Sequence, residues 1–314
     1  MGTKSDYVLE VTDLHKSFGT VKAVDGIGFA AERGEVFTII GPNGAGKTTT
    51  LEMIEGLQKP DRGSISILGM EWGKDTEAIK MKIGVQPQSS ALFDLLTVEE
   101  NLDVFASFYE KRRQIEDIIE MVNLSEHRGK RVKTLSGGQK QRLAIGLSMI
   151  NDPELIFLDE PTTGLDPQAR RNIWDIVRKL KSLGKTTILT THYMEEAEQL
   201  SDRVCIVDQG KVIAIDSPRA LIGRLTRERE VRLTFAGGAG AAAAAEGAAR
   251  IGAAAVRVER EQDRLTIWTA NPEETLYALF RYTHEEGLAV EQVSIREMSL
   301  EDVFIAFTGK EWRD

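Results

Sequence analysis

Short apolar runs alternate with helical patterns over the first 220 or so residues of the chain. Three of the runs have the character of buried strands and end in glycine or polar residues: EVFTIIG (35–41), ELIFLDE (154–160) and TTILTTH (186–192). Strands that alternate with helices are typical of an α/β protein with a largely parallel sheet. Because open α/β sheets bind their ligands at the carboxyl ends of their strands, we expect the chemistry at the residues that close these runs.

A mainly helical stretch separates the first two of these strands. It covers residues from about 97 to 150 and includes VEENLDVFASFYEKRRQIEDIIEMV. Because it lies between two strands of the same predicted sheet, we expect a helical subdomain inserted into the sheet domain.

The pattern changes after Ser217-Pro218, and a second domain is expected from there. The order of elements becomes β-α-β-β-α-β, which predicts a small ferredoxin-like α+β domain over 221–314, after a first domain over 1–220. The Ala-rich stretch 237–255 is either the first helix of that domain or a flexible linker. The high helix propensity of alanine and the strand patterns on both sides favour the helix.

Composition and charge narrow the classes of protein that fit this pattern. The chain has 314 residues, 41% of them hydrophobic and 28% charged, as expected for a globular protein of two domains. Its net charge of -9 argues against a protein whose main task is to bind nucleic acid. Cys205 is the only cysteine, so a reducing, cytoplasmic setting fits best. No run of about 18 apolar residues occurs, so we expect no membrane-spanning segment and any membrane role to come through a partner.

The loop GPNGAGKT carries the clearest chemical signal. It matches G-x-x-x-x-G-K-[ST], and it lies directly after a predicted strand and before the helical run TTTLEMIEGL, which a loop that merely turns the chain would not require. Its backbone N–H groups and the helix N-terminus are suited to hold a nucleotide phosphate. Lys47 is expected to reach the β- and γ-phosphates, and the Thr48 hydroxyl to bind Mg²⁺. The predicted phosphate-binding residues are Gly41, Pro42, Asn43, Gly44, Ala45, Gly46, Lys47 and Thr48.

An acidic pair closes the strand ELIFLDE. Asp159 is placed to hold Mg²⁺, and Glu160 is the expected general base for the attacking water. Taken alone, the pair fits the first turn of a helix equally well, and Pro161 favours such a turn. Together with the phosphate loop, the catalytic interpretation is the better one.

Histidines and one aromatic residue complete the set of candidates. His192 ends the strand TTILTTH and is expected to contact the γ-phosphate or orient water. We interpret His15, His127 and His284 as surface or packing residues. Phe18 is either a core residue or an aromatic face for the nucleobase.

A second anion-binding pattern occurs at LSGGQKQR (135–142), where a serine and two glycines precede a helical run. One phosphate loop holds one nucleotide. Ser136, Gly137, Gly138 and Gln139 therefore have no phosphate of their own within the chain, which raises the question of what they bind.

These motifs together resemble the ATP-binding subunits of ABC transporters. GPNGAGKT, LSGGQKQR, LIFLDEPTTGLDP (155–167) and TTH (190–192) stand in the order and context of that family, over residues from about 7 to 225. The resemblance implies an ABC ATPase of the P-loop NTPase fold that binds ATP and Mg²⁺. It also implies a head-to-tail homodimer, in which the SGGQ segment of each chain closes on the γ-phosphate in the other chain's phosphate loop. The family roles of Walker B aspartate, catalytic glutamate and switch histidine fall on Asp159, Glu160 and His192.

Further site residues follow from the resemblance alone. Thr49 would lie near the α-phosphate, Phe18 would stack on adenine, and Asp166 would belong to the D-loop. Gln88 would be the Q-loop glutamine that senses Mg²⁺ and the attacking water. Gln86 is the competing choice, and the family pattern, which places the glutamine directly after a proline, favours Gln88.

The end of the sequence narrows the subfamily. SLEDVFIAFTGKEWRD (299–314) resembles the tail of ATPase subunits in drug, antibiotic and ion exporters of the daunorubicin-resistance type. The resemblance implies an ATPase that powers efflux through a separately encoded membrane permease, from the cytoplasmic face of the membrane. The alternatives are a subunit of another ABC transporter, such as an importer or an ion or lipid transporter, and a non-transport ABC ATPase. The single cassette and the acidic charge balance count against the last class, which acts on ribosomes or DNA.

Overall fold

A computed structural model describes residues 7–89, 92–225, 229–236, 240–245 and 255–309. These residues divide into two compact units, with boundaries between Leu221 and Ile222 and between Ala306 and Phe307. The second unit thus starts one residue after the start expected from the sequence and ends before 314. Within the described residues, no helix is long and apolar enough to cross a membrane.

Among the residues that the structure describes, the first unit contains ten strands and most of the helices. Its strands are β1 (Tyr7–Phe18), β2 (Val21–Glu32), β3 (Val36–Ile40), β4 (Arg62–Ile67), β5 (Met70–Glu71), β6 (Ile83–Gln86), β7 (Leu155–Asp159), β8 (Thr186–Thr191), β9 (Arg203–Asp208) and β10 (Lys211–Asp216). Its helices are α1 (Lys47–Ile54), α2 (Thr76–Lys80), α3 (Val98–Ala106), α4 (Ile115–Met121), α5 (Gly137–Leu147), α6 (Pro167–Ser182) and α7 (Met194–Leu200), followed by α8 (Pro218–Gly223) at the boundary.

A six-stranded sheet in the order β10-β9-β3-β8-β7-β6 forms the centre of this unit. Neighbouring strands from β9 to β6 are parallel, and β10 is antiparallel to β9. The three strands predicted from the sequence are confirmed as β3, β7 and β8. They are central strands of one sheet, so their carboxyl ends lie side by side at one edge.

Side chains of the central strands alternate between two apolar cores. Phe37 and Phe157 belong to the core on one face of the sheet, whereas Ile156, Leu158 and Leu189 belong to the core on the other. The alternation follows from the two-residue side-chain period of a strand. Burial of both faces explains why these strands are almost continuously apolar in the sequence.

The helices α3, α4 and α5 fill the stretch between β6 and β7, where a helical subdomain was expected. Thr97 begins α3 with a capping box, in which its hydroxyl accepts from the Glu100 N–H and Glu100 accepts from the Thr97 N–H. Buried residues of all three helices, among them Leu102, Ile118 and Ile145, belong to one of the two cores that cover the central sheet.

An antiparallel sheet in the order β2-β1-β4-β5 was not predicted. Its two long strands carry charged residues on their outer face. In β1, for example, Val8, Leu9 and Val11 are buried, whereas Glu10 is exposed. The apolar side chains of its inner face, such as Leu9 and Ile27, join the core that also contains Phe37. The sheet places Phe18 at the end of β1.

The second unit has one antiparallel sheet and an apolar core of its own. Its elements are β11 (Arg229–Phe235), a helix α9 that includes residues 240–245, β12 (Ala255–Glu261), β13 (Arg264–Thr269), α10 (Pro272–Glu285), β14 (Val290–Arg296) and α11 (Leu300–Thr308), which crosses the boundary. The sheet order is β12-β13-β11-β14. Leu233 and Ile267 pack with Ala241, Ala244 and Leu279 of the two helices. Residues 240–245 agree with the helical interpretation of the Ala-rich stretch, whose residues 237–239 and 246–254 lie outside the described residues.

Candidate nucleotide-binding site

The loop between β3 and α1 requires glycine at positions where the chain passes close to other backbone atoms. Gly46 has a φ of +100°, and a Cβ there would lie 2.3 Å from the carbonyl oxygen of Ala23. A Cβ at Gly41 would lie 2.3 Å from the carbonyl oxygen of Val207. Side chains are therefore excluded at both ends of the loop, which keeps its backbone N–H groups accessible to a ligand.

Lys47 is buried at the first position of α1 and folds back over the loop. Its Nζ donates to the carbonyl oxygens of Gly41, at 2.9 Å, and Pro42, at 3.3 Å. The same Nζ lies 3.5 Å from Glu160 Oε1. The ammonium group is thus held at the mouth of the loop, where a phosphate that binds to the loop would meet it.

Asp159 and Glu160 lie where β7 ends beside β8, and Thr190 of β8 holds both. The Thr190 hydroxyl donates to Asp159 Oδ1, and the Glu160 N–H donates to the carbonyl oxygen and to Oγ1 of Thr190, at 3.1 Å and 3.0 Å. Asp159 and Thr190 are register partners in the parallel pair. Strand pairing therefore fixes the spacing of the two carboxylates relative to the phosphate loop.

The conformation of Glu160 aims its carboxylate at the phosphate loop. Its φ is 46°, in the left-handed region that non-glycine residues seldom adopt. Thr163 Oγ1 donates to Glu160 Oε2 at 3.0 Å. His192 Nδ1 lies 3.2 Å from the same oxygen, within ion-pair distance but without hydrogen-bond geometry. The carboxylate is thus bounded by Lys47 on one side and by Thr163 and His192 on the other.

Burial changes the protonation equilibria of this cluster. Burial raises the pKa of Asp159, and the negative charge of Glu160 adds to the effect. Burial also lowers the pKa of Lys47, a shift that the carboxylates of Glu160 and Asp159 oppose. A buried carboxylate or ammonium group in this cluster therefore costs free energy unless an opposite charge lies nearby. Lys47 and Glu160 supply such a charge for each other.

A cavity of about 540 Å³ opens over the phosphate loop. Phe18 and Gln88 contribute to its wall, and the Phe18 ring is 48% exposed, so it is not a core residue. The other wall residues among the predicted set are Asn43, Gly44, Gly46, Lys47, Thr48, Thr49 and Glu160.

Gln86 and Gln88 differ in their surroundings. Gln86 ends β6 with its side chain fully buried, and its Nε2 donates to the carbonyl oxygen of Pro87 at 2.6 Å. Gln88 is exposed and borders the cavity together with Thr48 and Glu160. Of the two, Gln88 is the glutamine that the structure brings to the phosphate loop.

The second anion-binding pattern lies outside this cavity. Ser136 is the N-cap of α5, with its hydroxyl accepting from the Gln139 N–H at 3.3 Å, and the residues Ser136 and Gly137 are exposed. Asp166 caps α6 in the same way through the Ala169 N–H, at 2.9 Å. A Cβ at Gly138 would lie 2.9 Å from Cβ of Ala169, so the two helix starts are neighbours. The predicted site residues therefore form two groups, one at the cavity and one at the start of α5 and α6.

Several polar residues of the site were missed by the sequence reasoning. Thr190 and Thr163 hold the acidic pair, and His127 Nε2 lies 2.8 Å from Gln139 Nε2, although His127 was assigned to surface or packing. The position of Thr190 opposite Asp159 becomes predictable once β7 and β8 are recognised as neighbours. No sequence signal marks His127.

A buried carboxylate lies one turn beyond His192. Glu196 of α7 is fully buried, and its Oε1 accepts from the Trp174 indole N–H of α6 at 3.0 Å. Arg170 of α6 also stacks over the ring of Tyr193, with 5.0 Å from Cζ to the ring centre. These contacts link the helix that follows His192 to the helix that Asp166 caps.

Comparisons with known proteins agree with this geometry. The sequence model of a family described as ABC transporter matches residues 24–163. A second one, described as an AAA domain, putative AbiEii toxin, type IV TA system, matches residues 131–196. The two matches overlap at the start of α5 and the acidic pair.

Curated relatives extend the likeness over the whole chain. A Nod factor export ATP-binding protein I of Ralstonia nicotianae is 38% identical over 100% of this chain and 97% of its own length. A linearmycin resistance ATP-binding protein of Bacillus subtilis is 36% identical over 98% and 100% of the two chains. A daunorubicin resistance ATP-binding protein of Streptomyces coeruleorubidus is 36% identical over 98% of each.

Solved structures match about two thirds of the chain. One, from Clostridium perfringens and described as part of an ABC transporter complex, has a TM-score of 0.64 and 27% identity and covers 70% of this chain and 92% of its own. A dimeric bacterial ABC transporter cassette has a TM-score of 0.61 and 27% identity and covers 67% of this chain and 98% of its own.

Proposed function

Since this chain belongs to the ATP-binding subunits of ABC transporters, and is an ATPase of the exporter type, we propose that it binds Mg-ATP in the cavity over the phosphate loop and works as a head-to-tail homodimer. We propose further that it powers a separately encoded membrane permease from the cytoplasmic face of the membrane. One observation carries the proposal: Lys47, Asp159 and Glu160 converge at the edge of the central sheet where the phosphate loop begins.

The chain's own groups supply the steps of ATP hydrolysis. The loop N–H groups and Lys47 bind the β- and γ-phosphates and neutralise charge that develops on the γ-phosphate. Glu160, bounded by Lys47 and His192, is placed to take a proton from the attacking water. His192 is then placed to contact the γ-phosphate and to keep the Glu160 carboxylate oriented.

The donor set at the site fits Mg²⁺. The hydroxyl of Thr48, the amide oxygen of Gln88 and the carboxylate of Asp159 are all oxygen ligands, which this cation prefers. The buried Asp159 carboxylate also gains from a nearby cation, because burial disfavours its charged form. Held by these residues, Mg²⁺ would withdraw charge from the phosphates of the nucleotide.

Phe18 and Thr49 complete the ATP site in this proposal. Both border the cavity that Lys47 and Thr48 also line. The exposed Phe18 ring offers an apolar face for adenine, and Thr49, next to Thr48 in α1, would lie near the α-phosphate.

The start of α5 supports a shared site between two copies. Ser136 and Gly137 are exposed at the N-terminus of α5, yet they lie outside the cavity of their own chain. In a head-to-tail pair they would close on the γ-phosphate of the other copy, with Gly138, Gln139 and Asp166 beside them. One solved relative, 28% identical and with a TM-score of 0.60, is a dimeric post-hydrolysis state bound to ADP and phosphate.

The exporter role and the permease partner are supported by the relatives and by an apolar surface. The relatives are named for the export of Nod factors and for resistance to linearmycin and daunorubicin, so we propose efflux of an antibiotic-like or other amphipathic small molecule. Phe93, Leu95 and Phe108 are 50%, 70% and 69% exposed, and Phe93 and Phe108 both contact the Phe105 ring. An exposed apolar cluster of this kind is suited to dock a partner protein.

We also propose a boundary and a role for each of the two domains. Residues 1–220 form the ATP-binding domain, with the helices between about 97 and 150 as its inserted subdomain. The remainder, 221–314, forms an accessory ferredoxin-like domain, an interpretation that the β-α-β-β-α-β order and the sheet order β12-β13-β11-β14 support.

The proposal is tested by purification of the chain, as wild type and as Lys47→Ala, from detergent-solubilised membranes of the cells that produce it. We expect the purified wild-type chain to hydrolyse ATP and Lys47→Ala to abolish that activity. We also expect a multispanning membrane protein to be recovered with the chain in detergent. Recovery of ribosomes or DNA without a membrane protein would contradict the transporter function. Uptake rather than efflux in vesicles would contradict the exporter function alone.

A further inference from the structure

The side chain of Gln139 contacts a histidine that no motif of the sequence includes. Nε2 of His127 lies 2.8 Å from Nε2 of Gln139. His127 ends a 3-10 turn, Ser125–His127, that lies 12 residues before Gln139 in the helical stretch. The contact joins this turn to the first turn of α5.

The capping box at the start of α5 determines which end of the Gln139 amide faces His127. Gln139 Oε1 accepts from the Ser136 N–H at 2.9 Å, and Ser136 Oγ accepts from the Gln139 N–H. The amide oxygen is therefore engaged, and the NH₂ group points to the imidazole. Since the NH₂ group only donates, His127 Nε2 is the acceptor in this contact.

The turn that carries His127 is itself well anchored. The His127 N–H donates to the carbonyl oxygen of Leu124 at 2.8 Å, and its own carbonyl oxygen accepts from the Lys130 N–H at 2.9 Å. The adjacent Arg128 donates to Glu99, at 2.8 Å, and to Glu116, at 2.6 Å. The imidazole is thus presented by a turn that is tied to α3 and α4, so it can act as a fixed acceptor.

We propose that His127 is a positioning residue of the shared ATP site. By accepting from Gln139 it holds the side chain that closes the capping box, and so it keeps the start of α5, with the N–H groups of Gly137 and Gly138, in the form that a second copy would meet. This inference rests on the proposed function, because those N–H groups act on the γ-phosphate only in a second copy of the chain. His127 touches neither nucleotide nor metal and acts through Gln139.

Loss of this acceptor frees one end of the Gln139 amide. The Gln139 side chain can then adopt orientations that do not close the capping box. The capped form of the N-terminus of α5 is therefore populated for a smaller fraction of the time. A neutral hydrogen bond of this kind is worth about two- to tenfold in an equilibrium. The defect falls on closure of the dimer, whereas ATP binding to the phosphate loop of the same chain does not involve α5.

The test compares four full-length proteins: the wild type, His127→Ala, His127→Gln and the control Ser125→Ala, an exposed residue at the start of the same turn. His127→Ala is expected to lower kcat for ATP by about two- to tenfold. Binding of a fluorescent ATP analogue to the phosphate loop is expected to stay within about twofold, since the loop is untouched. His127→Gln, whose amide oxygen can accept in place of Nε2, is expected to restore most of the rate.

A double-mutant cycle then shows whether His127 acts through Gln139. In a Gln139→Ala background, His127→Ala is expected to have little further effect on kcat. The inference is overturned if His127→Ala behaves like Ser125→Ala, if His127→Gln does not restore the rate, or if the two substitutions act independently. A wild-type protein without ATPase activity would instead contradict the proposed function.

Discussion

Lys47 Nζ and Glu160 Oε1 lie 3.5 Å apart, and both side chains are buried. The pair joins the phosphate loop to the end of β7. Lys47 also donates to two carbonyl oxygens of the loop, and these hydrogen bonds hold its ammonium group beside the loop that would bind the phosphate. A γ-phosphate that binds to the loop is expected to compete with Glu160 for Lys47.

Glu160→Gln is expected to leave ATP binding intact and to lower turnover by about 100-fold or more, because it removes the base but keeps the side-chain shape. Phosphate release and binding of a fluorescent ATP analogue measure the two effects. Glu195→Gln, an exposed carboxylate on α7, serves as the control. Turnover of the Glu160→Gln protein near the wild-type rate would show that another group takes the proton.

The phosphate loop could be predicted from the sequence because its requirements are local. A strand, a glycine loop and a helix in immediate succession determine where Lys47 and Thr48 lie. The support of the acidic pair could not be predicted in the same way. Thr190 reaches Asp159 only because β8 lies beside β7, and the positive φ of Glu160 depends on the hydrogen bonds that its N–H donates to Thr190.

For a related reason, the sequence did not predict the antiparallel sheet or the contacts of His127. Strands β1 and β2 have charged residues on their outer face, so their apolar pattern is weaker than that of β3. His127 depends on a turn held by Arg128, Glu99 and Glu116, which are far apart in the sequence. Both features depend on tertiary contacts rather than on local patterns.

Glu55 predicts a pH-dependent stability. Burial raises its pKa to about 8, the charges of Asp159 and Glu52 add to the shift, and its Oε1 has no hydrogen-bond partner among the described residues. Between its ordinary pKa of 4.5 and about 8, the folded protein binds more protons than the unfolded chain. The free energy of unfolding therefore falls as the pH rises through this window.

Glu55→Gln is expected to remove that pH dependence and to raise the free energy of unfolding at pH 9 by a few kcal/mol. The upper limit is about 5 kcal/mol, because the pKa rises from 4.5 to about 8 and each unit is worth about 1.4 kcal/mol. Urea unfolding of the nucleotide-free wild type and variant at pH 6 and pH 9 measures the free energy of unfolding. Glu110→Gln, an exposed carboxylate, is the control. A wild-type protein that is equally stable at both pH values would contradict the buried, protonated state of Glu55.

Trp174→Phe is expected to cost about 1–3 kcal/mol of stability, because it leaves the buried Glu196 carboxylate without the indole N–H. Chemical unfolding followed by circular dichroism measures the change. The double variant Trp174→Phe with Glu196→Met removes both polar partners and is expected to recover part of the loss. If the double variant is no more stable than the single one, packing of the indole rather than its hydrogen bond accounts for the loss.

Cys205 is expected to report unfolding. It is fully buried in β9, and burial raises the pKa of its thiol to about 12, so the reactive thiolate is suppressed in the folded protein. A maleimide at pH 7.5 is expected to label the thiol only in denaturant. Rapid labelling of the folded protein would mean that the first unit opens around β9.

Gly137→Asp tests the shared site with little risk of unfolding. Gly137 is the first residue of α5, is exposed, and the nearest atom to a Cβ there is Leu165 Cδ2 at 3.8 Å. A carboxylate at this position favours the helix N-terminus but repels a phosphate brought to it by a second copy. Gly138 is a poorer choice, because a Cβ there would lie 2.9 Å from Ala169 Cβ.

In a Glu160→Gln background, ATP is expected to dimerise the protein, and Gly137→Asp to abolish that dimer while each chain still binds ATP. Gly137→Asn has the same shape without the charge, so we expect it to retain much more of the dimer. Size-exclusion chromatography with and without ATP measures the difference. An ATP-dependent dimer that persists with Asp at this position would mean that the start of α5 does not face the γ-phosphate of the partner, and Ser136 to Gln139 would then need another ligand.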